Sequence, residues 1–207
     1  MKLKSISVLL LLTAFMMMLV ACGEATPTPT SNNSSFQTYL YKGYDYFGQG
    51  DYDKAIEQYD EAIRLDPEKA DTYINRGVSY YNLGQYDLAI QDYDQAILLD
   101  LQYAAGAYRN KGLAYGELGQ FERAIQNFDG AIRLDPQYAD AYNSRGSVYG
   151  NRGQNERAIQ DYDEAIRLNP QYALAYNNRG LAYGELGKSV ESKRDIQKAK
   201  ELGYDGR

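Results

Sequence analysis

YLYKGYDYFGQGDYDKAIEQYDEAIRLDP, residues 39–67, holds two helices and the turn that joins them. Tyr39, Gly43 and Tyr46 stand at i, i+4 and i+7, and Ala55, Tyr59, Ala62 and Leu65 at offsets 0, 4, 7 and 10, one stripe of an amphipathic helix in each case. Gly50 lies between the stripes, where a chain reversal needs a residue tolerant of positive φ. Asp66-Pro67 closes the second helix, because the residue before a proline is driven out of the α region.

The same unit recurs. Gly43, Gly77, Gly112, Gly146 and Gly180 are spaced 34, 35, 34 and 34 residues apart, and Gly50, Gly84, Gly119, Gly153 and Gly187 each follow seven residues later. Tyrosines flank the first glycine in every copy, four residues before it and three after, and alanines recur along the second stripe. Asp135-Pro136 and Asn169-Pro170 end later copies as Asp66-Pro67 ends the first. A fixed period of this length resembles the tetratricopeptide repeat. The resemblance implies an all-α, right-handed α-solenoid of five helix-turn-helix repeats over residues 36–207, with units 36–69, 70–104, 105–138, 139–172 and 173–207.

One helix pair cannot cover its own apolar face, so the units must stack and the ends must be capped. Two residues beyond the first glycine, interior units carry Ser79, Ala114, Val148 and Ala182, whereas the first carries Asp45. In the last helix Lys193 and Lys200 replace the isoleucines of earlier copies. Both features read as polar ends of a finished stack. Unit two departs from the pattern, with Leu101 in place of the terminal proline and one extra residue in Ala104-Ala105-Gly106-Ala107. An irregular join is expected there.

Upstream of the repeats the chain changes character. Residues 1–21 hold Lys2 and Lys4 and then no charge, the pattern of a secretory leader. Leu19-Val20-Ala21-Cys22 resembles a bacterial lipobox, which implies cleavage before Cys22, lipid on its thiol and a cell-envelope location on the extracytoplasmic side of a membrane. Residues 22–35 hold Pro27, Pro29 and several Thr and Ser but no large apolar side chain, and read as a disordered tether.

Composition removes whole classes of chemistry. With no histidine and one cysteine among 207 residues, there is no imidazole base, no Cys/His or Ser/His pair and no disulfide. No enzyme activity, metal or cofactor is expected. The net charge is −6 at pH 7, and loss of the two leader lysines takes it to −8, so the chain should repel nucleic acid. A monomer is expected.

Function in proteins of this resemblance lies on the concave surface made by first helices. The groove positions are then Tyr41, Tyr44 and Phe47 in unit one; Ile74, Asn75, Val78 and Tyr81 in unit two; Arg109 and Asn110 in unit three; Asn143 in unit four; and Asn177 and Asn178 in unit five. Asn75, Asn110 and Asn178 match a recurrent asparagine that in some family members bonds a peptide backbone. The carboxylate clamp of chaperone-binding relatives is not reproduced, since its basic residues are reduced to Arg109. The expected role is a membrane-tethered scaffold for a protein or extended peptide, with the aromatic residues of the first two units at its centre. A cell-wall glycan or peptidoglycan module is the alternative, because tyrosines can stack on sugar faces.

Overall fold

The computed structural model describes residues 29–206. The chain divides into two units, Met1–Ser34 and Ser35–Arg207, and the repeats occupy the second. Among the described residues the secondary structure is entirely helical: α1 Pro29–Gly48, α2 Tyr52–Leu65, α3 Ala70–Asn82, α4 Tyr86–Leu99, α5 Leu101–Glu117, α6 Phe121–Leu134, α7 Ala139–Asn151, α8 Asn155–Leu168, α9 Ala173–Glu185 and α10 Ser189–Glu201. Odd helices are the first of each pair and even helices the second.

The turns follow from the second glycine of each unit. Gly50, Gly84, Gly119, Gly153 and Gly187 have φ between 70° and 78°. Each lets the next amide reach back over the helix end, as in Asp51 N–H to Tyr46 O at 3.0 Å and Gln120 N–H to Tyr115 O at 2.8 Å, satisfying carbonyls that the helix leaves open. The first glycines serve contact instead. A methyl group on Gly77 would lie 2.8 Å from the Tyr93 ring, and one on Gly146 2.8 Å from the Tyr162 ring. The paired helices therefore touch through a bare backbone on one side and an aromatic face on the other.

Those second-helix aromatics are the core. Tyr59, Tyr93, Phe128 and Tyr162 are buried, as are Ala55, Ala62, Ala89, Ala96, Ala124, Ala131, Ala158 and Ala165. The two tyrosine columns around the first glycine, by contrast, are half-buried. They stand beside the cations that precede that glycine: Arg76 lies 5.6 Å from the Tyr73 centroid and 5.8 Å from that of Tyr80, and Arg179 lies 5.4 Å from Tyr176 and 5.9 Å from Tyr183.

The repeats are joined by ion pairs that cross from one unit to the next. Arg76 reaches Asp60 at 2.5 Å, Lys111 reaches Asp94 at 2.5 Å, Arg145 reaches Asp129 at 2.5 Å and Arg179 reaches Asp163 at 2.6 Å. The three arginines also bind an aspartate of their own unit at 2.6 Å: Asp92, Asp161 and Asp195.

One expectation is corrected. The stretch expected as tether is helical from Pro29, which sits at the first helical position, where its fixed φ suits the helix and its missing N–H is not needed. Residues 22–28, with Cys22 and the leader before them, lie outside the described residues. The join between units two and three departs from the others as expected, but no loop takes up the insertion. Without a proline after Asp100 the chain turns directly into α5, which spans 17 residues where α3, α7 and α9 span 13, and the Asp100 carboxylate caps it by accepting from Gln102 N–H at 2.8 Å. The extra residue is absorbed as helix.

The ends carry the expected polar residues. Asp45 is exposed, whereas Ser79, Ala114, Val148 and Ala182 are buried; Lys193 and Lys200 are exposed.

Candidate functional site

A concavity of about 590 Å³ opens over units three to five. Its floor comes from α5 and α7, where Leu113 and Gly116 face Ser144 and Ser147, and the entry to α9 closes one side with Tyr172 and Leu174. Gly116 leaves room rather than making contact, since a methyl group there would meet nothing within 4 Å. A second concavity of about 310 Å³ shares Ser147, Asn151 and Asn178 with the first and continues to Leu181 and Glu185.

The polar side chains of this wall are tied to one another. Asn178 Nδ2 donates to Asn143 Oδ1 at 3.1 Å and to Ser147 Oγ at 3.4 Å, and the Tyr162 hydroxyl donates to the same Ser147 oxygen at 3.4 Å. Ser147 Oγ in turn donates to Asn143 O at 3.0 Å. Burial first, then the neighbouring Asp140, pushes the phenol of Tyr172 well above the ordinary range. On the opposite side Arg109 lines the concavity, with Nη1 donating to Asn110 Oδ1 at 3.3 Å.

The groove positions read from the sequence are thus only partly brought together. Arg109, Asn143 and Asn178 share the large concavity. Asn110 stands beside it as an acceptor for Arg109. Asn177 points elsewhere, into a separate cavity of about 360 Å³ with Ile196, Lys200 and Tyr204. The positions in units one and two are largely engaged within the protein. Phe47 packs on Tyr52 and Tyr81 on Tyr86, each pair with centroids 5.3 Å apart across its turn. Ile74 and Val78 pack against the core of unit two. The Tyr81 hydroxyl donates to Glu117 at 3.3 Å, and burial together with that carboxylate pushes its pKa up to about 12. Asn75 donates to Asp71 O at 2.7 Å and to the Tyr44 hydroxyl at 3.4 Å. Tyr41 and Tyr44 remain open, 60% and 39% exposed, in an edge-to-face pair with centroids 6.1 Å apart.

The structure therefore opens its concavity over units three to five, where the sequence reading centred recognition on units one and two. Tyr172, Leu174 and Phe121 were not among the sequence-derived positions. Only Gly146 and Gly180 among the first glycines have a tyrosine eight residues before them, at Tyr138 and Tyr172, and that departure is the available signal. Among the described residues no group of His, Cys, Asp or Glu is placed to hold a metal ion, and no helix is long and apolar enough to cross a membrane.

A family model described as TPR repeat matches residues 43–84, 112–153 and 148–187, more than half of the chain. The chain belongs to the tetratricopeptide repeat family. Two further models described as tetratricopeptide repeat match residues 70–103 and 173–202, so the matched segments run through all five units. Among solved structures the repeat domain is similar to the MamA protein, with 31% identity and a TM-score of 0.67 over 82% of this chain and 92% of that one. It is also similar to Pseudomonas aeruginosa pilF, with 19% identity and a TM-score of 0.74 over 84% and 79%. YrrB, titled a TPR protein with an unusual peptide-binding site, matches with 20% identity and a TM-score of 0.62 over 89% and 95%. The last two likenesses concern the fold alone. No curated protein sequence matches the chain.

Proposed function

We propose that this tetratricopeptide repeat protein is a scaffold, tethered to a bacterial membrane through lipid on Cys22, that holds an extended segment of a partner protein across units three to five. The reading rests on the concavity of about 590 Å³, whose size and mixture of apolar surface with fixed amide and hydroxyl groups suit a peptide chain. The peptide-binding site named for YrrB is consistent with this use of the fold. The repeats supply rigid walls, and nothing in the reading calls for chemistry on the partner.

The groove is tested by selecting short random peptides on the full chain. Binders are expected, and Gly116→Leu, whose Cβ meets open space and whose side chain fills the concavity, should abolish their capture while leaving the helical signal intact. Failure to select any peptide, or binders indifferent to Gly116→Leu, would overturn the groove assignment, and capture of cell-wall glycans instead would favour a glycan module. The tether is tested separately. The natural chain should partition with detergent in a bacterial host and Cys22→Ala should not; a variant still cleaved and still membrane-bound would remove the lipid anchor.

A further inference from the structure

Arg109 stands three residues before its glycine, at a position that holds Leu40, Ile74, Asn143 and Asn177 in the other units. Leu40 is buried and Ile74 packs on the core, so this is an inward position that elsewhere carries no charge. Arg109 is half-buried at the wall of the large concavity. Its Nε is buried without a hydrogen-bond partner, the sole described side-chain nitrogen or oxygen in that state, and among the described residues no carboxylate pairs with its guanidinium. Arg76, Arg145 and Arg179 are the contrast, each engaging two aspartates.

Resting on the groove reading above, we infer that Arg109 is the receptor for one aspartate or glutamate side chain within the bound peptide segment. A desolvated guanidinium without a counter-charge is costly, and the chain has acids enough to have supplied one. Glu117, the acid on the same wall, is already engaged as acceptor of the Tyr81 hydroxyl. Nε is closed to the groove, so a carboxylate is met end-on by the two Nη nitrogens, which also offer a two-point geometry. Glu117 and Glu185, on the walls of the two connected cavities, repel further negative charge, so one acid is selected and not an acidic run. The wall extends past Arg109 on both sides, toward Tyr81 through Glu117 and toward Asn178, which suits a side chain in mid-segment over a chain terminus.

The test uses the full chain and C-terminally amidated random peptides. Selected binders should share one Asp or Glu, and replacing it by Asn or Gln should weaken binding about tenfold or more. Arg109→Leu, which installs the residue type of Leu40, should keep the fold, bind the Asp and Asn versions equally and raise the thermal midpoint. Binders without a shared acid, a preference that requires a free C-terminus, or an Arg109→Leu variant that still prefers Asp over Asn would overturn this inference while leaving peptide binding intact. If no peptide is captured, the groove reading fails and takes this one with it.

Discussion

Arg76 grips Asp92 through two nitrogens, Nε to Oδ2 at 2.9 Å and Nη2 to Oδ1 at 2.6 Å, and turns its third toward Asp60 of the preceding repeat. The Asp92 side chain is only 7% exposed, and burial pushes its carboxyl above the ordinary range even though Arg76 pulls the other way. Arg145 with Asp161 repeats the arrangement. Where the cation is Lys111, the corresponding residue is Asn127, whose amide donates to Arg123 O at 2.7 Å inside its own helix. A point charge cannot make the planar two-point grip, so the acid is not retained beside it.

Asp92→Asn should therefore cost about 2 kcal/mol in urea unfolding, since it takes from the half-buried Arg76 one of its two acids and leaves it only Asp60. Adding Arg76→Lys, which recreates the Lys111 and Asn127 combination, should recover about 1 kcal/mol or more of that loss. Strict additivity of the two substitutions would show that the pair is not coupled.

Glycines of the two kinds should respond oppositely to alanine. Gly112→Ala would put a methyl group 2.7 Å from the ring of buried Phe128 and should destabilise by about 2 kcal/mol. Gly116→Ala meets open space and should be neutral or stabilising by up to about 1 kcal/mol. Thermal unfolding of the two variants measures both, and equal effects would refute the distinction.

Alkali should unfold the domain through its tyrosines. Burial raises the phenol of Tyr93 far above its ordinary value of about 10, and those of Tyr59 and Tyr172 likewise. A raised folded-state value means that the native state holds the proton more tightly. The resulting stabilisation is complete below pH about 10 and is lost as pH climbs from there through the folded-state values. Helix content and tyrosinate absorbance should change together in that window. Tyr93→Phe, which copies Phe128, should move the midpoint to higher pH; an unchanged midpoint would acquit this residue.

Lys193→Ile with Lys200→Ile restores, on the exposed face of the last helix, the residues that earlier units use for stacking. Sedimentation should then show self-association at concentrations where the natural chain is monomeric. A monomeric double variant would mean that α10 is not the cap.

The repeat was legible because its period is written in residues that have no substitute: a glycine where φ is positive, a glycine under a ring, a proline where a helix stops. The pairing of Arg76 with Asp60 is written in register instead, a cation before every first glycine and an aspartate after each of Tyr59, Tyr93, Phe128 and Tyr162. The second acid was not. Asp92, Asp161 and Asp195 sit one residue before the core aromatic or Ile196, and only the company they keep gives them away, arginine with aspartate and lysine with Gln58 or Asn127. The join was legible as a departure but not as helix, because a missing proline permits helix without specifying it. The concavity was not legible because aromatic side chains at groove positions find partners in their own turns, as Phe47 does with Tyr52, while open space is made by what is small, such as Gly116.

Lys111 bears on how the array comes apart. At the other three described joins an arginine clasps the units on either side at once, whereas Lys111 holds a single, half-exposed aspartate of unit two and no acid of its own unit. An exposed pair of this kind is worth little, and the lengthened α5 packs on α4 over the largest contact between neighbouring units, so helix packing offsets the missing grip. Hydrogen exchange should therefore find no seam at Lys111; residues 36–99 opening apart from 100–206 would mean that the ion pairs, and not the packed helices, hold the array together.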